Sequence, residues 1–189
     1  KNPIIISGGG VFYSNAMEEL SNFATKHNIP VTQTVMGYST MKRDHSHYAG
    51  QIGGLGGKNT NDLAKETDLA IAVGTKLADF TTGSWSNFEN EKFKLVSINV
   101  SRFDANKHLA QAVVGDAKVS LIELSKALGD WKVGDEWNEK SQRELKIWNE
   151  HIDKESAPTN QEVPSYVQVI GAIYRNSEPT DIAVTAAGG

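Results

Sequence analysis

The sequence predicts an α/β fold, an open and mostly parallel sheet with helices on both faces. Short apolar runs alternate along the chain with amphipathic stretches, which is the usual pattern of such a sheet. The first run, "PIIIS" at residues 3–7, is continuous and β-branched, as in a strand covered on both faces. It leads directly into Gly8, Gly9 and Gly10, which suit a tight turn into a helix. We assign this fold to residues 1–130.

Five strands are predicted, near Ile4, Val31, Leu69, Leu95 and Val113. Each of these residues lies in a short apolar run, and the runs "DLAIAVG" and "KLVSINV" are the longest after the first. Helical stretches separate most of the runs. Because strands and helices alternate, we expect neighbouring strands to pair in parallel.

Helix boundaries are predicted from residues that cap helices. The first long helix is expected to begin from a cap at Ser14 or Asn15 and to end before "HNIP". The next helix is expected to begin at Asn59 or Thr60, within "NTNDLAKET". The run "AKVSLIELSKAL" then closes the series as a helix.

The composition changes after Gly129. Residues 131–160 are rich in charge, so we expect a linker helix that contacts a core along a narrow seam of Trp137, Leu145 and Trp148. In residues 161–189 the pattern predicts a helix in "SYVQVIGAIYRN" and a strand in "DIAVTA". The chain enters a strand without a lead-in and stops just after one, so we expect it to be part of a longer protein.

Charge and composition exclude several functions. The 189-residue chain carries a formal charge of −4, and its Lys and Arg residues are scattered, so no nucleic-acid partner is expected. No apolar run approaches the roughly 20 residues that span a bilayer, and no signal peptide is recognisable, which predicts no membrane partner and a cytoplasmic location. The absence of Cys excludes disulfides, thiolate nucleophiles and zinc ribbons.

Two glycine clusters are candidate ligand contacts. The triplet Gly8–Gly10 could bring backbone N–H groups close to a phosphate, but it lacks the G-x-G-x-x-G spacing, and a tight turn alone would also need it. The segment "GQIGGLGG" at residues 50–57 could wrap a ligand closely. The alternative for this segment is a mobile loop that orders against another domain.

Polar clusters give no complete catalytic or metal site. Asp44 and His47, with His45 between them, are close enough in sequence to suggest metal ligation, but no further ligand follows at a convincing spacing, so no metal site is predicted. No nucleophile elbow is present, and no catalytic residue is predicted in the chain. Three residues follow a predicted strand and could line a crevice or start a solvated helix: Arg102, Asp104 and His108.

Taken together, these stretches resemble thiamine diphosphate-dependent enzymes over essentially the whole chain. The motifs follow one another in an order similar to the central portion of acetohydroxyacid synthases, as seen in "NPIIISGGG", "IPVTQTVMGYST" and "VVGDAKVSLIELSKALGDW". A narrower resemblance is to the trihydroxycyclohexane-1,2-dione hydrolases of myo-inositol breakdown, in "DFTTGSW", "NVSRFDANKH" and the final "AAGG".

The resemblance implies a three-domain subunit. The chain would supply the Rossmann-like central domain at 1–130, a linker helix and loop at 131–160, and the truncated start of the pyrophosphate-binding domain at 161–189. The implied parent is a homo-oligomer that opens the ring of its small-molecule substrate, 3D-trihydroxycyclohexane-1,2-dione, to 5-deoxy-glucuronate with thiamine diphosphate and Mg²⁺. The family's activating glutamate and Mg²⁺ motif lie outside this sequence, so we expect the chain alone to be inactive and to bind neither cofactor.

The resemblance also implies a nucleotide groove, because acetohydroxyacid synthases hold FAD in the central domain. The matching positions here are Gly8, Gly9, Gly10, Thr34, Met36, Gly37, Gly74 and Thr75. The sequence departs from that pattern at Lys76, where many relatives have Arg, and at Asn99, where an acidic residue often ends the strand. Retention of FAD stays open. The alternative function is a FAD- or NAD-binding module of the acetolactate synthase or flavoprotein type.

The segment "DFTTGSW" at residues 79–85 follows a predicted strand and carries two large aromatics, which a simple turn would not need. Asp79 could bind a cation or a ribose, or could cap the next segment. If the family geometry holds, Phe80 and Trp85 offer apolar area to other domains of the subunit, and the alternative is that both fold back onto their own core. Three hydroxyl groups would add hydrogen bonds: Thr81, Thr82 and Ser84.

Overall fold

The computed structural model describes residues 1–159, 161–178 and 180–184 of the chain. The chain divides into two compact units, residues 1–146 and residues 147–189. The first unit contains the sheet. The second begins inside a long helix and contains the last helix of the chain.

The first unit is built on six strands: β1 (Pro3–Ser7), β2 (Val31–Gln33), β3 (Tyr48–Gln51), β4 (Leu69–Val73), β5 (Lys94–Asn99) and β6 (Gln111–Val114). They form one sheet in the order β3-β2-β1-β4-β5-β6, and every neighbouring pair is parallel. All five strands that the sequence predicts within residues 1–130 belong to this sheet, and the parallel pairing is confirmed. The strand order reverses between β1 and β4, where a crevice opens at the carboxyl ends.

The described residues form eight α-helices: α1 (Gly9–Tyr13), α2 (Met17–His27), α3 (Lys58–Glu66), α4 (Asp79–Thr82), α5 (Arg102–Ala105), α6 (Ala117–Leu128), α7 (Asp135–Glu155) and, in the second unit, α8 (Tyr166–Asn176). Helix α2 joins β1 to β2, and α3 joins β3 to β4 in the opposite direction along the sheet. Because such crossovers are right-handed, the two helices lie on opposite faces, as the sequence predicts. Helix α6 packs against α2.

The core is centred on β1, which is covered on both faces. Ile4, Ile5 and Ile6 are all fully buried, although successive side chains of a strand point to opposite faces. Burial of each such side chain is worth about 1.5–3 kcal/mol, so this strand is a major source of stability. The continuous β-branched run therefore predicted its environment correctly.

Two predicted helix starts are wrong by a few residues. Helix α2 begins at Met17 without a side-chain cap, and Asn15 instead adopts a left-handed backbone conformation after α1. Helix α3 begins at Lys58, and the side chains of Asn59 and Thr60 lie inside it and both donate to the carbonyl oxygen of Ala49, at 3.1 and 2.9 Å. These side chains dock the helix on β3 and do not cap it.

The sequence pattern missed β3, the edge strand. Its sequence, "YAGQ", overlaps the segment 50–57 that was interpreted as a loop, so the first two residues of that segment belong to the sheet. The remainder packs within the first unit, since Gly54 N donates to the carbonyl oxygen of Phe80 at 2.8 Å. A Cβ at Gly53 would lie 2.4 Å from the same oxygen. Glycine is needed here for close packing on α4.

The charged stretch after Gly129 forms α7, and its predicted narrow seam is confirmed within the first unit. Trp137, Ser141 and Leu145, spaced four residues apart, are its buried residues. The indole Nε1 of Trp137 donates to the carbonyl oxygen of Pro3 at 2.8 Å, which anchors the helix at the start of β1. Trp148 is half-buried and belongs to the second unit.

In the second unit, α8 confirms the predicted helix, and a capping box between Ser165 and Gln168 starts it. A Cβ at Gly171 would lie 2.5 Å from the Cβ of Ser156, so glycine permits close packing there. The predicted strand "DIAVTA" is wrong for residues 181–184, which pair with no other strand, and residues 185 and 186 lie outside the described residues. No helix in the described ranges is both long and apolar enough to cross a membrane.

Candidate functional site

A cleft of about 510 Å³ lies at the carboxyl ends of β1, β2, β4 and β5. This is where the strand order reverses, and open α/β sheets bind ligands at that point. The volume falls in the range of small-molecule sites. The lining residues are Gly9, Gly10, Tyr13, Thr34, Val35, Met36, Gly74, Thr75, Lys76, Ala78, Phe80, Thr81, Asn99, Ser101 and Asp104.

The structure brings most of the expected groove residues together at this cleft. Six of the eight line it: Gly9, Gly10, Thr34, Met36, Gly74 and Thr75. The other two, Gly8 and Gly37, lie behind the lining. A Cβ at Gly8 would lie 2.5 Å from the carbonyl oxygen of Gly74, and one at Gly37 would lie 2.1 Å from that of Ser7. Both glycines allow backbone segments to pack closely below the cleft.

Gly10 and Gly74 form a close backbone contact at the cleft. A Cβ at Gly10 would lie 2.6 Å from the Cα of Gly74, and a Cβ at Gly74 would lie 2.5 Å from the Cα of Gly10. Gly74 also has a φ of 61°, which disfavours any residue with a side chain. The N–H groups of Gly8 and Gly10 donate to the carbonyl oxygens of Val73 and Gly74, both at 2.9 Å. The N–H groups of Gly8 and Gly10, where β1 leads into α1, are thus bonded to the carboxyl end of β4.

A buried hydroxyl network supports the turn that follows β2. The side chain of Thr34 accepts a hydrogen bond from Gly37 N at 3.0 Å. Thr40 Oγ1 donates to the carbonyl oxygen of Gly37 at 2.7 Å and lies 2.5 Å from Ser7 Oγ. These bonds fix the backbone that presents Met36 to the cleft.

The wall at β5 is polar but largely occupied by internal bonds. Asn99 Nδ2 donates to the carbonyl oxygen of Thr75 at 3.1 Å, and Asn99 Oδ1 accepts from Ser101 N at 2.9 Å. Asp104 accepts from Lys107 Nζ at 2.7 Å, and this hydrogen bond is the main reason that the pKa of Asp104 is lowered. Asp104 is therefore ionised at neutral pH. Of the three polar residues expected after this strand, only Asp104 lines the cleft.

The opposite walls are apolar, and sequence reasoning missed part of them. Tyr13, Val35 and Ala78 line the cleft together with Met36 and Phe80. Tyr13 lies on α1 and is among the most exposed aromatic residues of the described chain. The sequence held one signal for Tyr13, because it is an aromatic residue a few positions after the glycine triplet. The stretch shows no helical period that would indicate where its side chain points.

The two aromatics of "DFTTGSW" behave differently. Phe80 is 60% exposed and lines the cleft, so the fold-back alternative is wrong for it. Trp85 packs on its own core, with ring centroids 4.0 Å from His108 and 5.2 Å from Phe88, as the fold-back alternative predicts. The hydroxyl of Thr82 is also used internally, since it accepts from Trp85 N at 3.2 Å.

His45 and His47 form hydrogen bonds within the first unit. His47 is buried and its Nε2 lies 2.9 Å from Asn28 Oδ1, whereas His45 Nδ1 accepts from His47 N at 3.1 Å. Asp79 is exposed at the start of α4. Across the described ranges, no group of three or more His, Cys, Asp or Glu side chains could hold a metal ion.

Comparison with known proteins identifies relatives over most of the chain. Residues 1–124 match the family model described as "Thiamine pyrophosphate enzyme, central domain". A 3D-(3,5/4)-trihydroxycyclohexane-1,2-dione hydrolase of Clostridium perfringens strain 13 is 41% identical over 154 residues, which are 82% of this chain. A protein of Bacillus cereus strain ZK with the same printed name, numbered 2, is 45% identical over 124 residues, or 66% of this chain.

The chain spans only part of these relatives. The aligned residues make up 24% of the Clostridium perfringens protein and 19% of the Bacillus cereus protein. The matched region contains the whole sheet and the cleft, because β6 ends before residue 124.

Proposed function

The chain belongs to the thiamine pyrophosphate enzyme family and contains its central domain, and on this premise we propose the activity of the full-length protein. It is a thiamine diphosphate-dependent C–C bond hydrolase that opens the ring of 3D-trihydroxycyclohexane-1,2-dione to 5-deoxy-glucuronate in myo-inositol breakdown. The observation that carries the proposal is the 41–45% identity to hydrolases named for this substrate. The alternative is a FAD- or NAD-binding module of the acetolactate synthase or flavoprotein type.

In this proposal the chain supports catalysis and does not perform it. The described residues contain no acidic or histidine cluster able to hold Mg²⁺, so they do not fit the metal that accompanies the diphosphate. Thiamine diphosphate supplies the nucleophile and electron sink when it is bound by the other domains. We expect the chain alone to be inactive, because the family's activating glutamate and Mg²⁺ motif lie outside this sequence.

We propose that the carboxyl edge of the sheet contacts other domains of the same subunit. Exposed apolar side chains gather on the short helices and loops that follow the strands: Phe12, Tyr13, Val35, Met36, Tyr38, Leu55, Phe80, Val100 and Phe103. Five of these residues are aromatic, and each of the five aromatic residues exposes more than half of its surface. Apolar surface gathered in this way is characteristic of protein interfaces.

The wider setting follows from the same family membership. We propose a cytoplasmic homo-oligomer with no nucleic-acid or membrane partner, consistent with a formal charge of −4. We also retain the division into a central domain at 1–130, a linker at 131–160 and the start of the pyrophosphate-binding domain at 161–189.

The full-length protein tests this function directly. It should release 5-deoxy-glucuronate from the dione only when thiamine diphosphate and Mg²⁺ are present, whereas residues 1–189 should be inactive and give no heat on titration with the diphosphate. In the full-length protein, Phe80→Ser should weaken domain assembly and activity, and Val163→Ser, at an exposed loop position, should not. A full-length protein that binds FAD but leaves the dione unchanged would favour the alternative.

We propose that the cleft is the vestige of a nucleotide groove. Its candidate residues are Gly8, Gly9, Gly10, Thr34, Met36, Gly37, Gly74 and Thr75. The apolar walls suit an aromatic ring system, but two N–H groups of the glycine turn and both amide atoms of Asn99 already have protein partners. These particular donors are therefore not available to the diphosphate and ribityl groups of FAD.

Absorbance and calorimetry test the vestigial groove. Residues 1–189 should be colourless after purification, and titration with FAD or ADP should show no binding in the micromolar range. A yellow protein, or micromolar binding that Met36→Ser weakens, would show that the groove retains its nucleotide.

A further inference from the structure

The segment of residues 131–135, which follows α6 and includes the first residue of α7, is held by the carboxyl end of α2. His27, the last residue of α2, is fully buried, and its Nδ1 donates to the carbonyl oxygen of Trp131 at 2.6 Å. The carbonyl oxygen of His27 accepts from Val133 N at 3.0 Å. The segment is thus bonded to α2 at two successive points before α7 begins.

The side chain of Asn28 adds further hydrogen bonds to this segment. Its left-handed backbone, with a φ of 55°, ends α2 and directs the side chain toward the segment. Asn28 Nδ2 donates to the carbonyl oxygen of Val133 at 3.1 Å and to Asp135 Oδ1 at 2.9 Å. Both amide hydrogens are then used, so Oδ1 is the atom that faces His47 Nε2 at 2.9 Å.

This orientation of Asn28 fixes the tautomer of His47. A carboxamide oxygen can only accept, so His47 carries its proton on Nε2. His47 Nδ1 lies 3.0 Å from Ser46 Oγ and accepts the hydroxyl hydrogen. The neutral ring therefore has both nitrogens satisfied at a position that is only 6% exposed.

The surroundings of His47 favour the neutral ring. Burial is the main cause that lowers the pKa of His47, and His45 on the same loop is the second, with ring centroids 5.6 Å apart. Helix α2 presents the uncharged Asn28, and α7 presents Asp135 on the far side of that amide. A positive charge on His47 would therefore lack a direct acidic partner.

We propose that Asn28 and His47 form an acid-sensitive clasp, which fixes segment 131–135 and the start of α7 on the first unit. Because the pKa of His47 is lowered in the clasped state, the released state takes up the proton more readily. The clasp is complete above the ordinary histidine pKa of about 6.5 and weakens as the pH falls below it.

Hydrogen exchange of residues 131–140 tests the clasp. After correction for intrinsic rates, the opening equilibrium of this segment should rise on going from pH 7.5 to pH 5.5, by up to about tenfold, which is the limit for one proton. His47→Gln keeps an amide donor toward Asn28 without a titrating group, so its opening should not change with pH. The matched control His151→Gln, at an exposed position of α7, should behave as the unmodified chain.

The result that overturns the clasp is an opening equilibrium that does not change with pH in the unmodified chain, or one that changes equally in His47→Gln. A second variant covers the case in which His47→Gln loses protection in β1 and β4 and has therefore unfolded. Asn28→Gly keeps the left-handed backbone but removes the amide, so segment 131–140 should open at both pH values while β1 stays protected. Unchanged protection of the segment in Asn28→Gly would equally refute the clasp.

Discussion

At the scale of single residues, the contact between Gly10 and Gly74 leaves no room for a methyl group. Gly10→Ala would place a Cβ 2.6 Å from the Cα of Gly74, and neither backbone can move without disturbing β1 or β4. We expect a loss of about 1–3 kcal/mol in the free energy of unfolding, measured by urea denaturation. Gly134→Ala is the control, since a Cβ there meets nothing within 4 Å. Equal stability of the two variants would contradict the close backbone packing.

Residue type predicted only part of the cleft and not the direction of each side chain. Gly8–Gly10 were recognisable because tight turns favour glycine, whereas Thr34 and Gly74 were predicted only through the resemblance to acetohydroxyacid synthases. The sequence could not separate Phe80 from Trp85, since both lie in one segment. The two differ because Trp85 packs against His108 and Phe88, whose positions next to it depend on the arrangement of β5 and β6.

At the scale of secondary structure elements, burial decided which ones the sequence revealed. Strands β1 and β4 are apolar runs because helices and neighbouring strands surround them, so their pattern was clear. Strand β3 lies at the edge of the sheet and contains "YAGQ", which has no such run. The helical turn α4 is only four residues long and ends at Gly83 in a left-handed conformation, which hydrophobic periodicity cannot detect.

The same argument explains the end of the chain. Helix α8 was predicted from its apolar spacing, which is a local feature, and the structure adds a cap at Ser165. The strand "DIAVTA" was predicted from residue type alone, but a strand exists only when another strand pairs with it. Ile182 and Val184 are almost fully exposed, so nothing among the described residues supplies that pairing.

At the scale of the whole molecule, the extent of the first unit is the open question. The change in composition places the end of the sheet domain near residue 130, whereas the compact unit reaches Lys146. The difference is the first half of α7, which buries Trp137 and Leu145 and bonds Trp137 Nε1 to Pro3. A charge-rich helix can thus belong to a core through one narrow seam.

Two shortened chains distinguish these boundaries. A chain that ends at Lys146 should unfold at the same urea concentration as residues 1–189, because every buried contact of α7 with the sheet is retained. A chain that ends at Leu128 should lose roughly 5 kcal/mol or more, since burial of Val133, Trp137 and Leu145 contributes about 1.5–3 kcal/mol each. If the shorter chain is as stable as the longer one, α7 is only a linker and the core ends near residue 130. Loss of cooperative unfolding in the chain that ends at Lys146 would instead assign residues 147–189 to the same folding unit.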